Sequence, residues 1–189
     1  MAKFFIDCGA HKGESVMLFR KAYPSASEFK VISFEPNPDL VSCFDEFSDV
    51  EFHSAAVSTH DGTAEYFTHQ WTVGNTLCKE NSRVIPGLPP RIVPCIDLSQ
   101  WMLSRFTKED YVILKMDVEG FEYEILQKMF DDGSFDLVDK LYIEWHYGNR
   151  PIAKEIHDKI RATVHEKGLH DWYWQAGPSN DDIEGKHQI

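Results

Sequence analysis

Residues 4–15 read FFIDCGAHKGES, an apolar run that ends on an acid and turns through two glycines into a helix start. A loop between a strand and a helix commonly presents backbone amides to phosphate, and then it reads GxGxxG. This one reads DxGxxxG. It lacks the central glycine and puts Asp7 where a diphosphate would be repelled. A cationic ligand without phosphate reverses the argument, because a carboxylate can hold an ammonium directly or through water in a charge-assisted bond. Gly9 and Gly13 would let the backbone come close to such a ligand, with Ala10 and Ser15 beside them at the helix start. The ordinary alternative is that Asp7 caps a turn and the glycines serve tight geometry.

A second acid sharpens the reading. Glu35 ends the apolar run KVISFE, where a carboxylate can accept hydrogen bonds from both hydroxyls of a ribose. Pro36 and Pro38 stiffen the chain behind it, and Asn37 is a candidate neighbour of a base. The small Ala55 and Ala56 after the next apolar run leave room for a flat ring. Either acid alone could simply cap the adjacent turn or helix. Together, in one nucleotide-binding half-unit, they point to a nucleoside with a cationic rather than a phosphorylated tail, and S-adenosylmethionine has that constitution.

A second acidic cluster lies in LKMDVEGFEYE, residues 114–124, and in YIEWH, residues 142–146. In an extended chain Lys115 and Asp117 share one face, with Leu114 and Met116 on the other. Glu122 and Glu124 fit the first turn of a helix, where acids suit the dipole. Lys115 and Asp117 fit less easily, because a charge in a central strand is costly unless paired. A pair between Lys115 and an acid is therefore expected. Asp117 and His146 are candidate bases, with Lys115 or Glu144 orienting them. Asp117, Glu119, Glu144 and His146 are also of the types that hold a hard cation, but no spacing specifies it, so the sequence reading includes no metal.

The elements that must position these residues alternate along the chain. Apolar runs at Lys3–Asp7, Lys30–Glu35, Glu51–Val57, Tyr111–Asp117 and Lys140–His146 read as strands, with AEYFTH and LHDWYWQ as further candidates. Helical spacing marks Glu14–Ala22, a segment around Leu40–Phe47, the stretch CIDLSQWMLSRF, the stretch EGFEYEILQKMF and Ile152–Lys167. Such alternation predicts an α/β fold with a doubly wound, mostly parallel sheet and helices on both faces. Ligands then bind at the carboxyl ends of the strands, where Asp7, Glu35, Asp117, Glu144 and His146 all fall. Residues 69–94 carry four of the nine prolines and are a candidate lid or substrate loop, with Trp71, Asn75 and Thr76 as its informative side chains. One domain over residues 1–178 and a frayed tail at 179–189 complete the reading.

Bulk properties narrow the partners. The 189 residues carry a net charge of −12, which disfavours nucleic acid and anionic membranes and favours cationic or neutral ligands. No apolar run reaches membrane-spanning length. The four cysteines form no CxxC pair, and the first strand is expected to start at Lys3, without room for a leader. Free thiols in a cytoplasmic protein are expected.

The segments FFIDCGAHKGES, VISFEPNP, AAVSTHDGTAEYF and VILKMDVEGFEYEIL resemble, in order and spacing, the FkbM-type S-adenosylmethionine-dependent methyltransferases. The resemblance runs from about Phe4 to His146. It implies a class I, Rossmann-like methyltransferase fold and O-methylation of a hydroxyl on a small molecule, sugar or glycolipid, with S-adenosylhomocysteine as product. It further implies that Asp7, Gly9 and Gly13 line the methionine end of the cofactor, that Glu35 holds the ribose, that Asn37 lies near the adenine and that Asp117 faces the reacting centre. His11 and Lys12 depart from the usual pattern of that loop. The alternative is a non-catalytic S-adenosylmethionine-binding or scaffold subunit.

Overall fold

The computed structural model describes residues 1–70 and 74–172. Trp71 and the expected tail at 179–189 lie outside the described residues.

The centre of the molecule is a six-stranded sheet in the order β3-β2-β1-β7-β8-β9. Its strands are β1 (Lys3–Cys8), β2 (Phe29–Phe34), β3 (Val50–His53), β7 (Tyr111–Met116), β8 (Lys140–Ile143) and β9 (Asp171–Trp172). Every pairing is parallel. Strand order reverses between β1 and β7, which sets the cleft of a doubly wound sheet over their carboxyl ends. The register places Asp7 directly between Ser33 of β2 and Lys115 of β7.

Alternation along the strands divides the core into two layers. Ile6, Ile32, Leu114, Met116 and Ile143 face helices α2 (Leu98–Arg105), α3 (Glu122–Asp132) and α4 (Lys154–Glu166). Phe5, Val31, Ile113 and Tyr142 face helix α1 (Glu14–Ala22), which contributes Val16 and Phe19. Phe5 and Phe19 stack with ring centroids 4.2 Å apart. Asp7, Ser33 and Lys115 follow the α1 side by the same alternation. Among the described residues no helix is long and apolar enough to cross a membrane.

A second sheet, β4-β6-β5, is not apparent as a sheet in the sequence pattern, although the candidate strand AEYFTH overlaps β5. It is built from β4 (Ala56–Ser58), β5 (Gly62–Tyr66) and β6 (Arg91–Asp97). The expected strand over Glu51–Val57 is therefore two strands in two sheets. The chain turns at Ser54–Ala55, where the Ala55 amide donates to the His53 carbonyl at 2.9 Å. The segment RIVPCID is β6, although its proline suggests a loop and the periodicity beginning at Cys95 suggests a helix. Pro94 precedes the stretch Cys95–Asp97 that pairs with β4 and itself stands opposite Thr63 of β5. Asp97 then caps α2 by accepting from the Gln100 amide at 3.2 Å. The expected helix near Leu40–Phe47 is a run of 3-10 turns over Pro38–Phe44.

Candidate active site

The two glycines of the first loop meet different demands. Gly9 has φ +85, and a Cβ there would lie 1.9 Å from the Asp117 carbonyl oxygen. The loop therefore crosses the end of β7 at a distance only glycine permits. Gly13 has φ +86 and lies against the Phe47 ring, which a Cβ would meet at 2.7 Å. It sets the packing of α1 rather than the wall of a cleft. The amides of Gly9 and Ala10 both donate to the Phe34 carbonyl at 3.0 Å, folding the loop over the end of β2.

Asp7 is wholly buried, and its Oδ1 lies 3.1 Å from Lys115 Nζ. The same ammonium donates to the Gly9 carbonyl at 2.8 Å and stands 3.6 Å from Asp117 Oδ2. The expected lysine–acid pair is thus present. Burial pushes the Asp7 carboxyl up, against the pull of Lys115. Burial also opposes the charge on Lys115, but the Asp7 and Asp117 carboxylates together outweigh it and keep the ammonium protonated. Asp7 is not among the residues that line the cavity described below. Its Oδ1 faces the lysine that fastens the glycine loop.

A cavity of about 430 Å³ opens over the carboxyl ends of β1, β2 and β7, within the range of roughly 300–1,000 Å³ usual for small-molecule sites. Of the residues named from sequence, Gly9, Ala10, Ser15, Glu35, Pro36, Ala56, Asn75, Thr76, Lys115, Asp117, Glu119 and Glu144 line it. Asp7, Gly13, Asn37 and His146 do not. Asn37 is turned back on its own chain, where its side chain accepts from the Asp39 amide and caps the 3-10 turns.

Glu35 is nearly buried at the end of β2. Its Oε2 accepts from the His11 amide at 2.9 Å and its Oε1 from the Asn37 amide at 2.8 Å. Each oxygen keeps a second lone pair, and the side chain forms part of the cavity wall. Burial raises the Glu35 carboxyl, while those two amide bonds pull it back down.

The acidic end of the cavity is built by the β7–α3 turn and the end of β8. His146, buried behind the wall, points Nε2 toward Glu119 Oε2 at 3.3 Å, Asp117 Oδ1 at 3.8 Å and Glu144 Oε1 at 3.8 Å. Its Nδ1 lies 3.4 Å from Glu122 Oε1, which also accepts from the His146 amide at 2.8 Å. Burial disfavours the imidazolium, but Glu122 and the surrounding carboxylates raise His146 to about 9. Burial, opposed by His146, brings Glu119 up to about 7. Burial likewise raises Glu144. In the absence of a cation the surrounding acids thus favour the charged form of the histidine.

The wall residues Tyr66, Leu77 and Phe121 carry no site signal in the sequence. Among the described residues His11 and Glu119 are the two non-glycine positions with positive φ, at 48° and 54°. Both line the cavity, as strained backbone at functional sites tends to do. No local pattern in the sequence announces that geometry. Residues of the 69–94 loop close one side. Thr76 Oγ1 donates to the Glu119 carbonyl at 2.7 Å, Asn81 Nδ2 donates to the same carbonyl at 3.3 Å, and the Ser82 amide donates to the Asn149 carbonyl at 2.8 Å.

A family model for the methyltransferase FkbM domain matches residues 7–169. The chain belongs to the FkbM methyltransferase family. Its match spans every strand end that builds the cavity. An FkbM-family sheet with helices on both faces is the fold described above. The chain is also 26% identical over 162 residues to a protein of Beauveria bassiana (strain ARSEF 2860) named Methyltransferase 1, covering 75% of this chain and 64% of that relative. The chain thus spans somewhat less than two thirds of that protein's length. No solved structure matches the chain.

Proposed function

We propose that this FkbM-family protein transfers a methyl group from S-adenosylmethionine to a hydroxyl of a small molecule, sugar or glycolipid. The observation that carries the reading is Glu35, a nearly buried carboxylate held by two backbone amides with acceptor capacity left toward the cavity. That arrangement suits a ribose diol and would repel a phosphate. The glycine loop approaches the end of β7 too closely for any side chain at Gly9, and Gly9 and Ala10 line the cavity.

When bound, the cofactor supplies an electrophilic methyl carbon on a sulfonium. Glu35 would accept the ribose hydroxyls, and Ala56 and Val57 would flank the ring system from β4. Lys115, held by Asp7, fixes the Gly9 carbonyl that borders the methionine end. Asp117, Glu119 and Glu144 form the acceptor end and take up the proton of the attacking hydroxyl, a contribution of roughly 10²–10⁴-fold for such groups. In balance, a C–O bond forms, the C–S bond breaks, its electron pair goes to sulfur and the proton passes to a carboxylate. Positioning the two reactants supplies several kcal/mol more.

The test is transfer of radiolabelled methyl from S-adenosylmethionine to a panel of hydroxylated glycans, glycolipids and polyketides. Label in an ether linkage, lost in Asp117→Asn, supports the proposal. Label in an amine or thiol product, or none with any acceptor although the cofactor binds, rejects hydroxyl transfer and favours a binding or scaffold role.

A further inference from the structure

The acid–imidazole cluster has more ligand atoms than a methyl transfer requires. One atom each from Asp117, Glu119 and His146 lies within 4.8 Å of the other two. The His146 Nε2 separations, 3.3 Å to Glu119 Oε2 and 3.8 Å to Asp117 Oδ1, already fall in the roughly 3–4 Å spanned by neighbouring ligands of one ion at about 2.1 Å.

Two features point inward to a cation rather than to a solvated acidic face. His146 is 4% exposed, and its Nε2 faces three carboxylates, the nearest Glu119 Oε2 at 3.3 Å. Asp117 Oδ1 is likewise a buried atom without a hydrogen-bond partner. Its other oxygen faces Lys115, whose charge is shared with Asp7. Behind the imidazole stands Glu122, wholly buried, with Oε2 accepting from the Gly120 amide at 2.8 Å and Oε1 facing His146 Nδ1. Metal-ligating histidines commonly have a carboxylate beside the far nitrogen, which orients the ring, and Glu122 Oε1 stands 3.4 Å from Nδ1.

We propose that Asp117, Glu119 and His146 form a site for a divalent metal ion, with Glu122 as its positioning residue. Two carboxylates and one imidazole suit a hard to borderline ion such as Mn²⁺. This departs from the sequence reading, which includes no metal. The ion would lie at the acceptor end of the cavity and give the acceptor's oxygen a place to bind. That use rests on the methyl-transfer reading, whereas the binding does not.

The experiment titrates metal-free protein with Mn²⁺ alone, following the loss of the free-ion signal by electron paramagnetic resonance. S-adenosylmethionine binding is measured separately on the same preparation. The expected result is a single Mn²⁺ per chain, with affinity lowered about 10–100-fold in Glu122→Gln and at least as much in Glu119→Gln and His146→Gln. Glu119→Gln is the conservative variant at a partly exposed position, so the test survives if a variant of buried His146 or Glu122 does not fold. Failure of millimolar Mn²⁺ to bind, or affinity unmoved by Glu119→Gln in folded protein, overturns the site. Cofactor binding without Mn²⁺ binding refutes the metal site alone. Mn²⁺ binding without cofactor binding refutes the methyl-transfer reading alone.

Discussion

Replacing Lys115 with methionine isolates the pair that anchors the glycine loop. Asp7 and Lys115 are 0% and 2% exposed and 3.1 Å apart. At an effective dielectric of ~20 their attraction is about 5 kcal/mol. Lys115→Met leaves the Asp7 charge buried without a partner, which costs about 3–5 kcal/mol in comparable cases. The Gly9 carbonyl also loses its 2.8 Å donor, worth about 1 kcal/mol. In a domain of this size the melting temperature should fall by roughly 10 °C. The loss should depend on pH in a stated direction. Without its lysine, buried Asp7 has a folded-state pKa above its unfolded value of about 4. The native state then binds more protons than the unfolded state, so stability falls as pH rises through that window. The deficit relative to wild type should be largest at neutral pH and shrink toward pH ~4. Urea unfolding of both proteins across that range measures it, and Asp7→Val combined with Lys115→Met should recover most of the loss. A neutral-pH deficit below about 1 kcal/mol, or one that does not shrink on acidification, would refute the anchoring role.

Gly9→Ala should lower stability and abolish cofactor binding together, because a methyl group meets the Asp117 carbonyl at 1.9 Å; thermal melts and ligand titration report the two effects. Thr76→Val removes the 2.7 Å bond to the Glu119 carbonyl and should cost about 1–3 kcal/mol while raising the acceptor's KM more than the cofactor's Kd, as steady-state kinetics would read. A thiol reagent should modify Cys43 rapidly in the native protein and the buried Cys8, Cys78 and Cys95 slowly. Burial pushes the Cys78 thiol up to about 12, against reactivity, and a time course distinguishes the single fast site from the rest.

Helix α1 can be read from the sequence residue for residue, because its apolar positions repeat at helical spacing and Tyr23-Pro24 ends it. Strands β1, β2, β7 and β8 are legible as buried apolar runs, each ending on or near an acid. What escapes is long-range. Nothing local tells that the chain leaves the main sheet between His53 and Ala56, because the second sheet exists only through pairing with β6. Pro94 disguises β6 itself. The site divides in the same way. Glu35, Lys115 and Asp117 stand out because charge at a strand end is visible in one dimension. Asp7 stands out too, but its register opposite Lys115 belongs to the sheet and is invisible in one dimension. Glu122 looks like an ordinary first-turn acid, and only the fold places it behind His146.

The most direct test of the account is calorimetric titration of the protein with S-adenosylmethionine and S-adenosylhomocysteine, beside Glu35→Ala. Two charge-assisted hydrogen bonds to a ribose at about 1.5–3 kcal/mol each predict micromolar binding to wild type that weakens at least 100-fold in the variant, with the variant's fold intact by circular dichroism. Absence of binding to both ligands, or equal affinity in wild type and Glu35→Ala, would contradict the assignment of the cavity to an adenosyl cofactor.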